Sequence, residues 1–276
     1  MSIKDNIVVN LAKGVIKKFV PVQRKPNSLG FWQIKRLKHL PNHVLHSIPV
    51  YNANFYFEKP YEFIHSYDEL IVDELYRFNA ATDSPLIIDC GANIGLSVLY
   101  FKHLYPQSRI IAFEPDKVNN RLLTKNIDSF GLQNVSLEEK AIWIHNNTIT
   151  FAASGSQGSK IDEVGGHNGS ITVQCQRLAD LLQQKVDFLK IDIEGAEYEV
   201  IKDCKHLLPN VDHLFVEYHG DINEAYKLTE MLVIFQEAGF DYYLQEAADN
   251  VQHPLVRGKQ TTTFDQQLNI FAYKKQ

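Results

Sequence analysis

From residue 86 onward the chain alternates two kinds of segment, and this alternation limits its fold more than any other feature. Short apolar runs such as "LIIDCG" (86–91), "RIIAFEPD" (109–116), "DFLKIDI" (187–193) and "HLFVEYHG" (213–220) read as buried strands. Between them lie amphipathic runs that read as helices: "NIGLSVLYFKHLYP" (93–106), "KVNNRLLTKNIDSFG" (117–131), "EYEVIKDCKHLL" (197–208) and "NEAYKLTEMLVIFQEAG" (223–239). Pro106 stops the first of these and Gly131 closes the second. "VSLEEKAIW", "TITFAAS" and "SITVQCQ" add short strands, "RLADLLQQ" a short helix, and "FDYYLQEA" with "NIFAYKK" a closing pair of strands. Strand–helix alternation of this kind predicts an α/β fold, a mostly parallel sheet with helices on both faces.

Residues 1–60 lack that rhythm and are expected to form an N-terminal extension ahead of a domain spanning 61–276. On helical spacing Val8, Leu11, Ala12, Val15, Ile16 and Phe19 share one face, with Lys4, Lys13, Lys17 and Lys18 largely elsewhere. Two readings stand: a helix docked on its own domain or on a second copy of the chain, and a helix resting through residues 1–20 on an anionic membrane face. Short strands are expected around "SIPVYNANFYF". A helix over "SYDELIVDELYRFNA" is expected to start at Ser66 as N-cap and to bury Leu70, Ile71, Leu75 and Phe78. The aromatic cluster Tyr51, Phe55, Tyr56, Phe57, Tyr61, Phe63 and Tyr67 reads first as core, second as a platform for sugar rings.

Composition excludes several classes. Residues 1–40 hold nine Lys/Arg and one Asp, whereas the remainder carries a net −13, so the body is not a general nucleic-acid binder. No apolar run reaches the roughly 20 residues needed to span a bilayer. Cys90, Cys175 and Cys204 are too widely spaced for a zinc site or a disulfide framework, which points to reduced thiols and a cytoplasmic protein.

In open α/β sheets ligands bind beyond the carboxyl ends of the strands. Four such ends are legible: Asp89-Cys90-Gly91-Ala92-Asn93-Ile94-Gly95, Glu114-Pro115-Asp116, Asp192-Ile193-Glu194-Gly195 and Glu217-Tyr218-His219-Gly220. Each carries an acid, a poor cradle for a polyphosphate and a good one for hydroxyls or a positive centre. The first turn has D-x-G-x-x-x-G spacing, without the third glycine of a dinucleotide fingerprint. Gly91 lets a ligand approach the backbone and Gly95 permits close helix packing. Glu114 stands 23 residues beyond Gly91, where an acid that grips ribose hydroxyls belongs. Glu197 and Glu199 fall in the first turn of a helix, where the dipole favours acids. Lys190 is a charge inside an apolar strand with no local explanation. The glycine-rich stretch 154–170 lacks phosphate-loop spacing and reads as a mobile hairpin or lid.

"LIIDCGANIGLSVLYF", "IIAFEPDKVNNRLLTKN" and "VDFLKIDIEGAEYEVI" together resemble the successive motifs of the FkbM family of S-adenosylmethionine-dependent methyltransferases, over roughly residues 61–220. That resemblance implies the class I methyltransferase fold, a Rossmann-like seven-stranded sheet whose last strand is inserted antiparallel. It also implies methyl transfer to a hydroxyl of a saccharide, glycoconjugate or natural product, with S-adenosylhomocysteine as product. Carried over, Asp89, Gly91, Asn93 and Gly95 shape the methionine end of the cofactor site, and Glu114 holds the ribose. Asp116 and Asn119 flank the adenosine, and Asp192 stands near the sulfonium. His219, Asp192, Glu194 and Glu217 are the candidate general bases. The same four could instead hold a divalent metal, the less favoured way to acidify the acceptor. Two other readings remain: a methyltransferase-like module that binds without catalysis, and a nicotinamide-dependent dehydrogenase, which the missing glycine and Asp89 disfavour.

Overall fold

The computed structural model describes residues 25–151, 171–248, 250–251, 253, 255–256 and 264–274. The expected N-terminal helix and the glycine-rich 154–170 stretch lie largely or wholly outside these residues. The described part opens with a short helix α1 (Phe31–Leu37), a hairpin of β1 (His46–Val50) and β2 (Ala53–Phe57), and helix α2 (Pro60–Tyr67). The alternating region follows as β3 (Leu86–Cys90), α3 (Leu96–Leu104), β4 (Arg109–Phe113), α4 (Lys117–Phe130) and β5 (Val135–Glu138). After it come β6 (Ala141–Trp143), β7 (Thr148–Phe151), β8 (Ile171–Arg177), α5 (Leu178–Leu181), β9 (Val186–Ile191) and α6 (Glu197–Cys204). The last elements are β10 (Val211–Gly220), α7 (Tyr226–Glu237), β11 (Phe240–Ala248) and β12 (Gln266–Lys274).

The main sheet has seven strands in the order β11-β12-β10-β9-β3-β4-β5. β3 pairs in parallel with both β4 and β9, while β12 runs antiparallel to β10 and β11. Numbered within the sheet, the order is 3-2-1-4-5-7-6 with the seventh strand reversed, which is the class I methyltransferase fold. Buried apolar side chains line both faces. Leu189, Ile191, Val216 and Ile201 belong to one core, and Ile87, Phe101, Ala112 and Phe188 to the other. That two-sided burial is why the strands read as apolar runs rather than as alternating ones. Strand order reverses between β3 and β9, so the ends of β3, β4, β9 and β10 share one edge at the switch point.

Two local expectations are corrected. The helix expected from Ser66 begins earlier, at Pro60, and Ser66 lies inside it. Proline suits a first turn, where an N–H has no intrahelical partner. The helix then passes into a single wider turn at Asp68–Val72, closed by Asp73 N–H to Asp68 O at 2.8 Å, and continues no further. Leu70, Ile71 and Phe78 are nevertheless buried, so the apolar face was real although the helix was shorter. "VSLEEKAIW" forms two strands rather than one, with β5 on the main sheet and β6 on a small sheet with β8 and β7. Of the aromatic cluster, Phe55, Phe57, Phe63 and Tyr67 are core, with Phe57 and Phe63 stacked at 4.2 Å. Tyr51 instead stacks on His103 at 3.9 Å, and Tyr61 is exposed.

Side chains of α4 fasten the hairpin to the alternating region, with Ser129 Oγ donating to Asn54 O at 2.8 Å. Asn126 of α4 accepts from Tyr56 N–H at 2.7 Å, and its Nδ2 donates to Tyr56 O at 3.0 Å and to Ile94 O at 2.8 Å.

Candidate active site

The turn after β3 is left-handed three times, at Gly91 (φ 87°), Asn93 (φ 49°) and Gly95 (φ 90°). Both glycines answer to the protein's own packing. A Cβ at Gly91 would stand 1.9 Å from the carbonyl oxygen of Asp192, and one at Gly95 would stand 2.4 Å from Cδ1 of Leu123 on α4. The expected freedom at Gly91 therefore serves a close approach of two strand ends, and Gly95 packs on a helix. Gly91 and Ala92 donate their N–H groups to Phe113 O at 3.0 and 2.9 Å, which ties the turn to the end of β4.

Glu114 stands buried just past that end. Its two oxygens accept from Asn93 N–H at 2.8 Å and Asp116 N–H at 3.0 Å. Burial pushes its pKa up to about 7, against the opposing pull of these two N–H groups. Each oxygen keeps a lone pair for a further donor. Asp116 is the N-cap of α4, accepting from Val118 and Asn119 N–H at 2.9 Å each. A shallow groove with a cavity of about 40 Å³ lies nearby, lined by Asn93, Ile94, Val118, Asn119, Glu62 and Phe63 among others. Asn119 thus lines a groove whose lining includes neither Asp116 nor the acids at the ends of β9 and β10.

Lys190 finds its explanation across the sheet. Its ammonium, in a side chain only 3% exposed, lies 3.3 Å from Asp89 and 3.4 Å from Asp192 and donates to Gly91 O at 2.6 Å. Burial opposes the charge, but the two carboxylates outweigh it and hold Lys190 protonated. Asp89 is wholly buried and also accepts from Ser97 Oγ at 2.6 Å. Its oxygens are thus taken up beneath the Gly91 turn by Lys190 and Ser97.

Beyond the switch point, Glu194 (φ 59°) and Gly195 (φ 101°) turn the chain so that the ends of β9 and β10 converge. His219, with its side chain 2% exposed, places Nε2 3.6 Å from Glu194 and 3.6 Å from Glu217, and Nδ1 3.2 Å from Glu197. Asp192, Glu194 and His219 each offer an atom within 4.8 Å of the others. The sequence placed Glu197 as a dipole-compensating acid, but it is fully buried and accepts from Ile193 and Gly195 N–H at 3.1 and 3.0 Å as well as facing His219. Burial pulls the His219 pKa down, but the Glu197 hydrogen bond and the surrounding carboxylates raise it to about 10. Burial and the neighbouring Asp192 lift Glu217 well above the usual carboxylate range. Both shifts favour the protonated forms of His219 and Glu217.

Glu197 and Lys190 are the residues that local pattern could not assign. A buried charge in an apolar strand was the signal for Lys190. For Glu197 it was an acid spaced to meet a histidine on the next strand.

The arrangement suits a ligand with two hydroxyls at Glu114 and a positive centre near the Asp192 mouth. It repels a polyphosphate. Residues 89–242 match the Methyltransferase FkbM domain. Among similar proteins, Methyltransferase 1 of Beauveria bassiana is 29% identical over 198 residues, 61% of this chain and 79% of that protein. The 2-O-methyltransferase NoeI of Sinorhizobium fredii is 28% identical over 156 residues, 49% of this chain and 63% of that protein. The hexuronic acid methyltransferase AglP of Haloferax volcanii is 25% identical over 147 residues, 52% of this chain and 59% of that protein. With the family's domain matched over more than half of its length, on a sheet of class I order, the chain belongs to the FkbM methyltransferase family.

Proposed function

We propose that the protein is an S-adenosylmethionine-dependent O-methyltransferase whose acceptor is a hydroxyl of a saccharide, glycoconjugate or natural product. The observation that carries this reading is one sheet edge that combines a buried Glu114, held by two backbone N–H groups, with an acid-rich mouth of Asp192, Glu194 and Glu217. The similarity to a 2-O-methyltransferase and a hexuronic acid methyltransferase supports the acceptor class.

When bound, the cofactor supplies a methyl group already activated on a sulfonium sulfur. The chain's own residues do the rest. Glu114 accepts the ribose hydroxyls through its free lone pairs, and Val118 and Asn119 line the groove for the adenosine. The carboxylates of the mouth favour a positive centre, and Lys190 keeps Asp192 and the Gly91 turn in place from below. The acceptor oxygen must be held in line and within about 3–3.5 Å of the carbon it attacks. Asp192 and Glu194, partly open to solvent, are the groups placed to take up its proton.

Calorimetric titration with S-adenosylhomocysteine, with NAD as the parallel ligand, tests the assignment. Binding of the first alone is expected, and it should weaken in Glu114→Ala. Binding of NAD without S-adenosylhomocysteine would refute the reading.

A further inference from the structure

We propose that Asp192, Glu194 and His219, with Glu217 as a fourth donor, form a binding site for one divalent cation. Ligand atoms of the first three lie within 4.8 Å of one another, and His219 Nε2 is 3.6 Å from both Glu194 and Glu217. Around a cation with bonds of about 2.1 Å, neighbouring donors stand about 3 Å apart and opposed donors about 4.2 Å apart. Closing the observed spread requires shifts of about an ångström or less. Glu194 is on the exposed rim and can supply that movement.

The second observation is how His219 is held. Its ring is buried, and Nδ1 is 3.2 Å from Glu197, itself buried and fixed by the N–H groups of Ile193 and Gly195. A carboxylate that holds one ring N–H turns the other nitrogen toward the space between the acids, where a cation takes the place of its proton, which is how metal-binding histidines are oriented. Among the described residues Nε2 makes no hydrogen bond and has only the two longer contacts to Glu194 and Glu217. The nearest fixed cation, Lys190, is already committed to Asp89, Asp192 and Gly91 O. One imidazole with carboxylate oxygens is a donor set for Mn²⁺, Zn²⁺ or Mg²⁺ rather than for a soft ion.

The other occupant of this space is a proton on Nε2, giving an imidazolium paired with Glu194 and Glu217. Proton and cation exclude one another there. Glu194 is 48% exposed at its side chain, with Asp192 at 26% and Glu217 at 25%, so the remaining coordination positions face the open side of the mouth. An acceptor hydroxyl entering there would be held and made more acidic by the cation. This last use rests on the methyl-transfer reading, whereas the cation site itself does not.

The test is titration of chelator-treated, full-length protein with Mn²⁺ alone, reading free ion by electron paramagnetic resonance. The expected result is saturable binding of one ion per chain. Binding should weaken at least about tenfold in Glu194→Gln and by about 10–100-fold in Glu197→Gln, which removes the orienting carboxylate charge. It should be unchanged in Glu199→Gln, a partly exposed acid of the same helical turn whose nearest cation is Lys227. Absence of saturable binding by the wild-type protein, or equal binding by the Glu194→Gln and Glu199→Gln proteins, would overturn the proposal. S-adenosylhomocysteine titration of the same samples reads the cofactor site separately, so the two readings fail independently.

Discussion

Replacing Lys190 by Met is the most direct way to test how the site is held together. The ammonium lies 3.3 Å from Asp89 and 3.4 Å from Asp192. At an effective dielectric of about 20, each contact is an attraction of about 5 kcal/mol before desolvation is counted. Asp192 is partly exposed and can recover water, but Asp89 is fully buried, with Ser97 Oγ as its remaining donor. Methionine matches the length of the lysine stem, so the variant removes the charge with little change in packing. Stranding one partner of a buried pair costs about 3–5 kcal/mol, a large share of the roughly 5–15 kcal/mol that holds a typical domain folded. Equilibrium urea denaturation, followed by far-UV circular dichroism, measures the loss. The double variant Asp89→Asn with Lys190→Met removes both charges and keeps an acceptor for Ser97. It should recover at least about 2 kcal/mol of that loss as coupling between the two sites. A loss below about 1 kcal/mol in the single variant, or simple additivity in the double variant, would refute this account.

Three further outcomes are expected. Gly91→Ala meets both a left-handed backbone and Asp192 O at 1.9 Å, whereas Gly131→Ala meets only the backbone preference, with nothing within 4 Å. Denaturation should show the first losing at least about 2 kcal/mol more than the second, which should lose about 1 kcal/mol. Asp116→Ala removes the N-cap of α4 and should cost about 1 kcal/mol in the same assay. Glu114 ionises only as pH passes about 7, because burial and the charge on Asp116 raise it while the N–H groups of Asp116 and Asn93 and the charge on Lys190 lower it. On the proposed reading the ionised form accepts both ribose hydroxyls, so affinity for S-adenosylhomocysteine, read by calorimetry, should rise with pH up to that value, by at most about tenfold per pH unit. Glu114→Gln should bind more weakly and without that slope.

The sheet was legible because its order needs only the sequence of strands, and strands buried on both faces leave apolar runs that are hard to mistake. The acids at the ends of those strands were legible for the same reason, since topology brings strand ends together. Lys190 was not. Its partner Asp89 lies on a neighbouring strand about a hundred residues earlier, and only the register of β3 with β9 puts the two side by side. Glu197 was half legible: its helical position was right, but its partner is on β10, so a dipole argument covered only part of its role. The break between β5 and β6 was hidden because both pieces are short, and a change of sheet leaves no mark on apolar periodicity. His219 shows the opposite failure. Its identity suggested a base, and its surroundings, fixed by three separate segments, make it a charged or cation-holding ring.

Asn126 has a consequence for the order in which this chain can assemble. Its amide joins Tyr56, 70 residues earlier, to Ile94, 32 residues earlier, with Asn126 arriving last. On a ribosome the hairpin and the Gly91 turn emerge without the side chain that fastens them to one another. Both must wait for α4 before their backbone groups are satisfied. Two loops must close before that amide finds all its partners, with Ser129 of the same helix closing on Asn54 beside it. Completion of the turn after β3 is thereby coupled to docking of the hairpin as well as to folding of the strand that precedes it.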